Sequence, residues 1–257
     1  MQTVEEFLVS GIFAFLLIFT RMGTAMTIMP GIGDSFVNTR VRLLMALGIS
    51  FVLTPVIQGY MPEQVPSFPV LFSLIMMEFV TGLFVGTMAR IFMIAPDVAG
   101  MLISTTSGLS NAQVFNPAFS SQGSITGAFL SMTGVVLLFA TNLHHMLIYG
   151  LVESYKMFPV GAVPDTGSMT QLMTSAFSTS FLIGFQIAIP FIVVAIMLYI
   201  GMGVLSRLMP QVQVFILALP VQIMLALVTL SLSLSAIFLF WLTKYEAGMM
   251  FFLSQGG

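Results

Sequence analysis

One stretch near the C-terminus organises the fold: Gly201-Met-Gly-Val-Leu-Ser-Arg207-Leu-Met-Pro210-Gln211-Val-Gln-Val-Phe215-Ile-Leu-Ala-Leu-Pro220. It joins two long uncharged segments, Thr166 to Ser206 and Leu208 to Thr243, so that Arg207 is the only charge between two apolar arms. Proline blocks helix continuation and biases the residue before it away from helical conformation. The pattern therefore predicts a tight turn at 206–214 between two antiparallel helices.

The composition excludes an ordinary soluble fold. Of the 257 residues 58% are hydrophobic and only 6% are charged, against about 25% charged in a typical soluble domain. So few charges cannot cover a water-exposed surface, and the chain is expected in lipid or in an apolar assembly. The net charge of −2 predicts no nucleic-acid partner. The first apolar run, Phe7 to Phe19, lacks a basic start and a cleavage site, so it is expected to be a retained helix.

The apolar blocks are too long for strands and lack alternation, so the chain is predicted to be an all-α membrane protein. A hydrocarbon core about 30 Å thick needs about 20 helical residues. Residues 172–206 would reach roughly 50 Å as one helix, so they should bend at Pro190, as the last block should at Pro220, or be buried by protein. Arg40 and Arg42 predict a cytoplasmic start for the loop after the first block. The blocks lie at about 7–29, 41–59, 68–95, 98–112, 125–152, 172–206 and 212–252.

Four residues spaced four apart, Glu78, Gly82, Gly86 and Arg90, would follow one stripe of a helix. The two glycines would let a second helix approach closely. Glu78 and Arg90 would lie about 18 Å apart along the axis and cannot pair with each other. Because an ionised side chain at mid-bilayer costs at least ~2.5 kcal/mol, each should have its own partner or water. The stripe is then either a charged contact in a conduit or an interfacial salt bridge.

Two other patterns suggest chemistry and do not complete a site. His144-His145 has no acid within a turn, and adjacent helical side chains point about 100° apart, so the pair is interpreted as capping and packing near Asn142. Gly31-Ile-Gly33-Asp34 resembles the Gly-x-Gly-Asp motif of intramembrane aspartyl proteases. Those enzymes need a second carboxylate, a role that would fall to Asp97. Asp34 is interpreted as a loop residue that caps the next helix, and no enzyme activity, metal or cofactor is predicted.

Residues 104–123 form the longest polar stretch in the middle of the chain, and they carry no charge. Irregular backbone at membrane depth must line a cavity or be buried by protein. Two interpretations stay open. The stretch is either a constriction or plug of a pore, or a plain surface loop that joins two helices.

A series of landmarks along almost the whole chain resembles the FliR family of flagellar type III export-gate proteins, whose virulence counterparts are the SctT proteins. The Arg-x-x-Pro-Gln turn is the most specific of them. One departure is Asn142-Leu143-His144, where family members often have Asn-Gly-His, and it affects the geometry of that helix end. The landmarks are Arg21, Pro30, Arg40-Val-Arg42, Pro55, Glu78-x3-Gly82-x3-Gly86, Ala99-Gly100, Gly108, Asn116-Pro117, Asn142-x-His144-His145, Pro159-x-Gly161, Gly184, Pro190 and Arg207-x-x-Pro210-Gln211-x-x-x-Phe215.

The resemblance implies a subunit of a hetero-oligomeric export gate that assembles with FliP and FliQ and docks with FlhB and FlhA. Such a gate passes unfolded flagellar proteins across the bacterial inner membrane during flagellum assembly. It implies long kinked helices and hairpins in a spiral at the flagellar basal body, in contact with lipid but largely raised toward the periplasmic side. Energy would come from partners, since no nucleotide-binding Gly-rich Lys motif is present.

The resemblance also implies a FliP-like part at 1–171 fused to a FliQ-like hairpin at 172–257, and a loop at 108–123 that plugs the closed pore. The plug residues would be Gly108, Asn111, Phe115, Asn116, Pro117 and Phe119, and the residues of the assembly turn would be Arg207, Pro210, Gln211 and Phe215.

Three alternatives remain. One is a virulence export gate of the same family, which physical reasoning from the sequence does not distinguish from a flagellar one. A secondary transporter would show repeated halves with broken helices; Pro190 and Pro220 fit that pattern, but the halves do not match. An intramembrane aspartyl protease would need Asp97 to act with Asp34.

Overall fold

The computed structural model describes residues 4–62, 66–110, 124–162, 165–211 and 214–254. Within these ranges every regular element is a helix, which confirms the all-α class. In chain order the elements are α1 Val4–Ile28, α2 Thr39–Ile57, a 3-10 turn Gln58–Tyr60, α3 Phe68–Ile91, α4 Ile94–Thr106, α5 Ile125–Ala140, α6 Leu143–Met157, α7 Thr166–Leu208 and α8 Val214–Ser254.

The membrane class is confirmed by helix length and composition. Among the described residues five helices are long and apolar enough to cross a membrane, or up to six spans if the bent α5–α6 pair counts as one. The chain divides into two compact units, one made of residues 1–92, 138–176 and 246–257, the other of 93–137 and 177–245. The predicted boundary between 171 and 172 lies inside α7 and stays a prediction.

The first unit is built around α1, which packs against α2 and α3, while α3 also contacts α6. Leu17, Ile18 and Met22 of α1 have no exposed surface. On the facing helix a Cβ added to Gly86 would lie 2.7 Å from the carbonyl oxygen of Ala25. The two backbones are therefore in direct contact, and only glycine at position 86 permits this spacing.

The start of α2 corrects the prediction for Asp34. Asn38, in an extended conformation, accepts a hydrogen bond from the Arg40 N–H at 2.9 Å and is the cap of α2. The Asp34 carboxylate instead accepts from the Gly31 N–H at 2.7 Å, inside the preceding loop. Asp34 lies too far before α2 for its side chain to reach the first free N–H groups of the helix. Arg42 completes this loop, since its Nε donates to the Ile32 carbonyl at 3.1 Å.

The apolar block 125–152 is two helices and not one. α5 and α6 meet at an angle of 78°, and the break falls at Asn142, which has a φ of 60°. Asparagine adopts this left-handed conformation more readily than most residues because its short polar side chain bonds locally. The sequence had indicated a helix end near Asn142, but no proline or glycine marks the bend, and the single apolar block at 125–152 did not show it.

Two very long helices, α7 and α8, form the C-terminal part. At 43 and 41 residues they reach about 64 and 62 Å, and they continue as helices through Pro190 and Pro220. α7 begins at Thr166, before the predicted apolar block at 172, because Asp165 caps it. The Asp165 carboxylate accepts from the Ser168 hydroxyl at 2.6 Å and the Gly167 N–H at 3.0 Å. These bonds hold the pKa of Asp165 below its usual value.

The second unit is also held by close helix contacts. A Cβ added to Gly100 of α4 would lie 2.7 Å from the backbone of Thr126 in α5, and one added to Gly184 of α7 would lie 2.7 Å from the Ala95 carbonyl. Both glycines let α4 contact its neighbours backbone to backbone. Trp241 fills space in the same unit and is fully buried.

Candidate functional site

The predicted turn places an exposed basic tip between α7 and α8. α7 ends at Leu208 and α8 begins at Val214, and Arg207, Pro210 and Gln211 are all exposed. Among the described residues no ion pair to Arg207 is found. Phe215 lies in the first turn of α8, and its side chain is outside the described part of the chain.

The two arms run antiparallel where they leave this turn. Tyr199, one side of the turn, contacts Gln222 on the other side at 3.1 Å, and the two positions are nearly equidistant from the turn in sequence. The tip therefore presents its single charge at the end of a hairpin.

The glycine stripe of α3 lies against α1. A Cβ added to Gly82 would lie 2.5 Å from the Arg21 carbonyl oxygen, and one added to Gly86 would meet Ala25. Arg90, at the end of α3, bonds to Asp34 at 2.9 Å and donates to the Ile28 carbonyl at 3.1 Å. Glu78 and Arg90 thus have different partners, Arg21 in α1 and Asp34 in the loop that follows α1.

Glu78 forms a fully buried ion pair with Arg21 of α1. Both side chains are only 1% exposed. The Arg21 Nε donates to Glu78 Oε2 at 2.6 Å and Nη2 donates to Oε1 at 2.9 Å, which is the bidentate geometry that guanidinium and carboxylate favour. The pair joins two apolar helices at a depth where neither charge could reach water.

Arg21 also connects these helices to α6 and the segment after it. Nη1 donates to the Ser154 hydroxyl at 3.2 Å, and Nη2 donates to the Phe158 carbonyl at 2.9 Å. The guanidinium carbon lies 3.8 Å from the centre of the Tyr155 ring, a cation–π contact. One arginine therefore ties three parts of the first unit together, and the arrangement holds helices in place without presenting a group to a substrate.

The base of the polar loop is a second cluster, made of small hydroxyl side chains in the second unit. The Ser104 hydroxyl lies 2.7 Å from that of Ser124 and donates to that of Thr126 at 2.9 Å. Ser124 also donates to the Gly100 carbonyl at 2.9 Å and accepts from the Gly127 N–H at 3.0 Å. The residues on either side of 111–123 are thereby fastened together.

Of the six predicted plug residues, only Gly108 lies within the described part of the chain. It follows the end of α4 with a φ of 74°, a conformation that glycine adopts without the steric cost of a side chain. Asn111, Phe115, Asn116, Pro117 and Phe119 lie outside the described residues. Their predicted role stays a prediction.

The histidine pair packs differently from the expectation. His144 and His145 have ring centres only 4.1 Å apart, and His144 lies 5.0 Å from Phe139 across the bend. The expected divergence of the two rings is therefore wrong, because their side chains can turn toward each other in the first turn of α6. Within the described ranges no three His, Cys, Asp or Glu side chains come close enough to hold a metal ion.

Asp97, the alternative second carboxylate of a protease, lies in the first turn of α4. Its carboxylate accepts a short hydrogen bond from the Ser131 hydroxyl of α5. It therefore takes part in packing α4 against α5.

Sequence reasoning missed Arg21 as the partner of Glu78, the hydroxyl cluster, and Gln222. A signal existed for two of them. Arg21 is the only charge between Glu6 and Asp34, and Gln222 is the only polar residue between Val214 and Val228. A lone charge or amide in an apolar helix requires a partner, although the sequence does not say which one. The serines carry no comparable signal, since hydroxyls are common in such helices.

The sequence of this chain is similar to those of known export proteins. The flagellar biosynthetic protein FliR of Caulobacter vibrioides is 34% identical over 91% of this chain and 94% of its own length. FliR of Aquifex aeolicus is 30% identical over 84% and 82%. The Yop proteins translocation protein T of Yersinia pestis is 30% identical over 58% of each chain.

The family model described as bacterial export proteins, family 1, matches residues 12–248. This match covers both compact units, the buried Arg21–Glu78 pair, the hydroxyl cluster and the turn at Arg207. The chain belongs to the bacterial export proteins, family 1, and is a relative of the flagellar biosynthetic proteins FliR.

Proposed function

We propose that this protein is a subunit of the flagellar type III protein export gate, through which unfolded flagellar proteins cross the inner membrane during flagellum assembly. The observation that carries the proposal is the 34% identity to a FliR protein over nearly the full length of both chains. Its partners are FliP and FliQ in the gate core, with FlhB and FlhA docked to it, and it acts at the basal body.

The dimensions of the C-terminal hairpin support membership of a larger assembly. α7 and α8 are about twice as long as a hydrocarbon core of about 30 Å requires. About half of their described apolar side chains are exposed in the chain itself; examples are Met197, Ile200, Met224 and Leu232. Lipid can cover only part of such a surface, so neighbouring subunits cover the remainder. The exposed Arg207 at the hairpin tip is an assembly or docking residue.

The polar loop at 108–123 is the plug of the closed pore in this proposal. Two features of the described residues support it: α4 ends at a left-handed glycine, and hydroxyl groups fasten the two ends of the loop together. The protein performs no catalysis, and its partners supply the energy of transport.

Deletion of the gene tests the function. We expect loss of motility and of flagellin in the culture medium, with flagellin still made in the cytoplasm, and recovery of both with a plasmid copy. As a control, the deletion strain and the wild type should secrete equal amounts of protein by the general secretion pathway. Normal motility in the deletion strain would contradict a flagellar role.

A virulence export gate is the second candidate, supported by the similarity to the Yop proteins translocation protein T. The same deletion separates the two. Motile cells that fail to secrete effector proteins would support the virulence role and reject the flagellar one.

A further inference from the structure

Gln222 is a buried amide in an apolar part of α8. All the remaining residues from Val214 to Val228 are apolar, and Gln222 is only 5% exposed. Burying an amide without a hydrogen bond is costly, so the side chain needs partners within the protein.

Those partners lie on two other helices of the same unit. The Gln222 Nε2 donates to the Thr106 carbonyl at 2.5 Å and to the Tyr199 hydroxyl at 3.1 Å. Thr106 is the last residue of α4, and the last carbonyl groups of a helix receive no hydrogen bond from an N–H group of the same helix. Gln222 thus satisfies a carbonyl that α4 cannot satisfy itself, and it joins α4 to both arms of the hairpin.

The space around the Gln222 amide is too small for a ligand, so the amide serves to hold helices together. The adjacent cavity has a volume of about 10 Å³ and is lined by Thr106, Ser107 and Thr229 together with apolar residues of α7 and α8. Such a volume holds about one water molecule and no larger ligand. Removal of the amide would therefore leave the Thr106 carbonyl with at most one water as a partner.

We propose that Gln222 is a positioning residue of the export channel. It ties the C-terminal end of α4 to the α7–α8 hairpin, and so holds the point at which the chain leaves α4 for residues 108–123. The inference rests on the proposed function for its effect on transport, whereas the contact itself can be tested without it.

The first measurement follows the contact in the assembled complex. Thr105 and Met224 are exposed in the single chain, and the chain has no native cysteine. Spin labels on T105C and M224C, in a variant that copurifies with its partners as the wild type does, report the distance between α4 and α8. Gln222→Met keeps the length of the side chain and removes the donor. We expect it to raise the population of longer distances roughly threefold to tenfold, as loss of one hydrogen bond at membrane depth implies.

Two variants control this measurement. Gln186→Met makes the same change at an exposed position of α7 and should leave the distances unchanged. Tyr199→Phe removes one acceptor and keeps the bond to Thr106, so it should give a smaller shift than Gln222→Met. Equal distance distributions for wild type and Gln222→Met would overturn the proposal.

The second measurement is the leak of ions across the membrane of cells that contain the assembled complex. Copurification of the subunits measures assembly. We expect Gln222→Met to raise leak severalfold with normal assembly, and Gln186→Met to leave it unchanged. Deletion of residues 111–122 serves as the reference for an open pore. If that deletion leaks and Gln222→Met does not, the positioning role is wrong. If the deletion does not leak, the assignment of the plug fails, and the distance measurement alone decides whether Gln222 holds α4.

Discussion

At the scale of single residues, the Arg21–Glu78 pair is the most consequential contact in the first unit. Two opposite charges are buried to 1% exposure, and each of the two Glu78 carboxylate oxygens accepts a hydrogen bond from Arg21. Removing one partner leaves an uncompensated buried charge, whereas removing both leaves an apolar contact that is often tolerated. Stability should therefore depend on the two residues together.

We expect Glu78→Ala to destabilise the protein by about 3–5 kcal/mol, because it strands the Arg21 charge. The double variant Arg21→Met, Glu78→Leu should recover most of that loss. The thermal unfolding midpoint of the detergent-extracted protein measures both. Lys156→Ala is the matched control, since it breaks the surface Lys156–Glu153 pair, and ion pairs at the surface contribute little to stability. A double variant as unstable as Glu78→Ala would contradict the stranded Arg21 charge as the cause of the loss. A loss equal to the sum of those of Arg21→Met and Glu78→Leu would show that the two residues act independently.

At the scale of elements, backbone contact between helices depends on particular glycines. In α3 a Cβ at Gly86 would collide with the α1 backbone, whereas in α2 a Cβ at Gly48 would meet nothing within 4 Å. In the sequence the two positions look alike, since both are glycines inside apolar helices. Because their packing differs, the same substitution to alanine should change the stability of the protein in opposite directions.

Gly86→Ala should destabilise the protein by about 1–3 kcal/mol, because α1 and α3 must move apart. Gly48→Ala should raise stability by about 0.5–1 kcal/mol through helix propensity. Thermal unfolding of the two variants in the same detergent checks the prediction. Equal shifts of the same sign would contradict the close packing of α1 and α3.

At the scale of the whole molecule, the proposed assembly explains how the exposed apolar surface is covered. The hairpin arms are longer than any bilayer needs, and their tip carries one exposed charge without a described partner. Such a surface is stable when lipid and neighbouring subunits share it.

The detergent-extracted particle should therefore have a native mass well above the 27.9 kDa of one chain. Arg207→Glu should lower recovery of the complex, because charge reversal at a contact costs several kcal/mol. Arg207→Lys keeps the charge and should assemble more completely. Native mass spectrometry and copurification measure these outcomes. A particle of one chain, or full assembly of Arg207→Glu, would argue against the role of the tip.

Much of the fold could be predicted from the sequence because its signals are local. Run length and charge depletion indicated apolar helices, and most of the observed helices lie close to the predicted blocks. A helix end near Asn142 was predicted, but the sharp bend there was not, because an apolar run does not show the angle between two successive helices. The start of α7 at Thr166 escaped prediction as well, because a cap at Asp165 recruits polar residues into the helix.

What the sequence by itself determined is the all-α membrane class, the export family and the isolation of a few polar residues in apolar helices. What only the tertiary structure decided is which of those residues meet: Arg21 with Glu78, Arg90 with Asp34, and Gln222 with the end of α4. The physical reason is the separation along the chain of the residues that interact. Helix formation depends on neighbours within a few positions along the chain, whereas a buried charge or amide is satisfied by whichever distant group the packing brings to it.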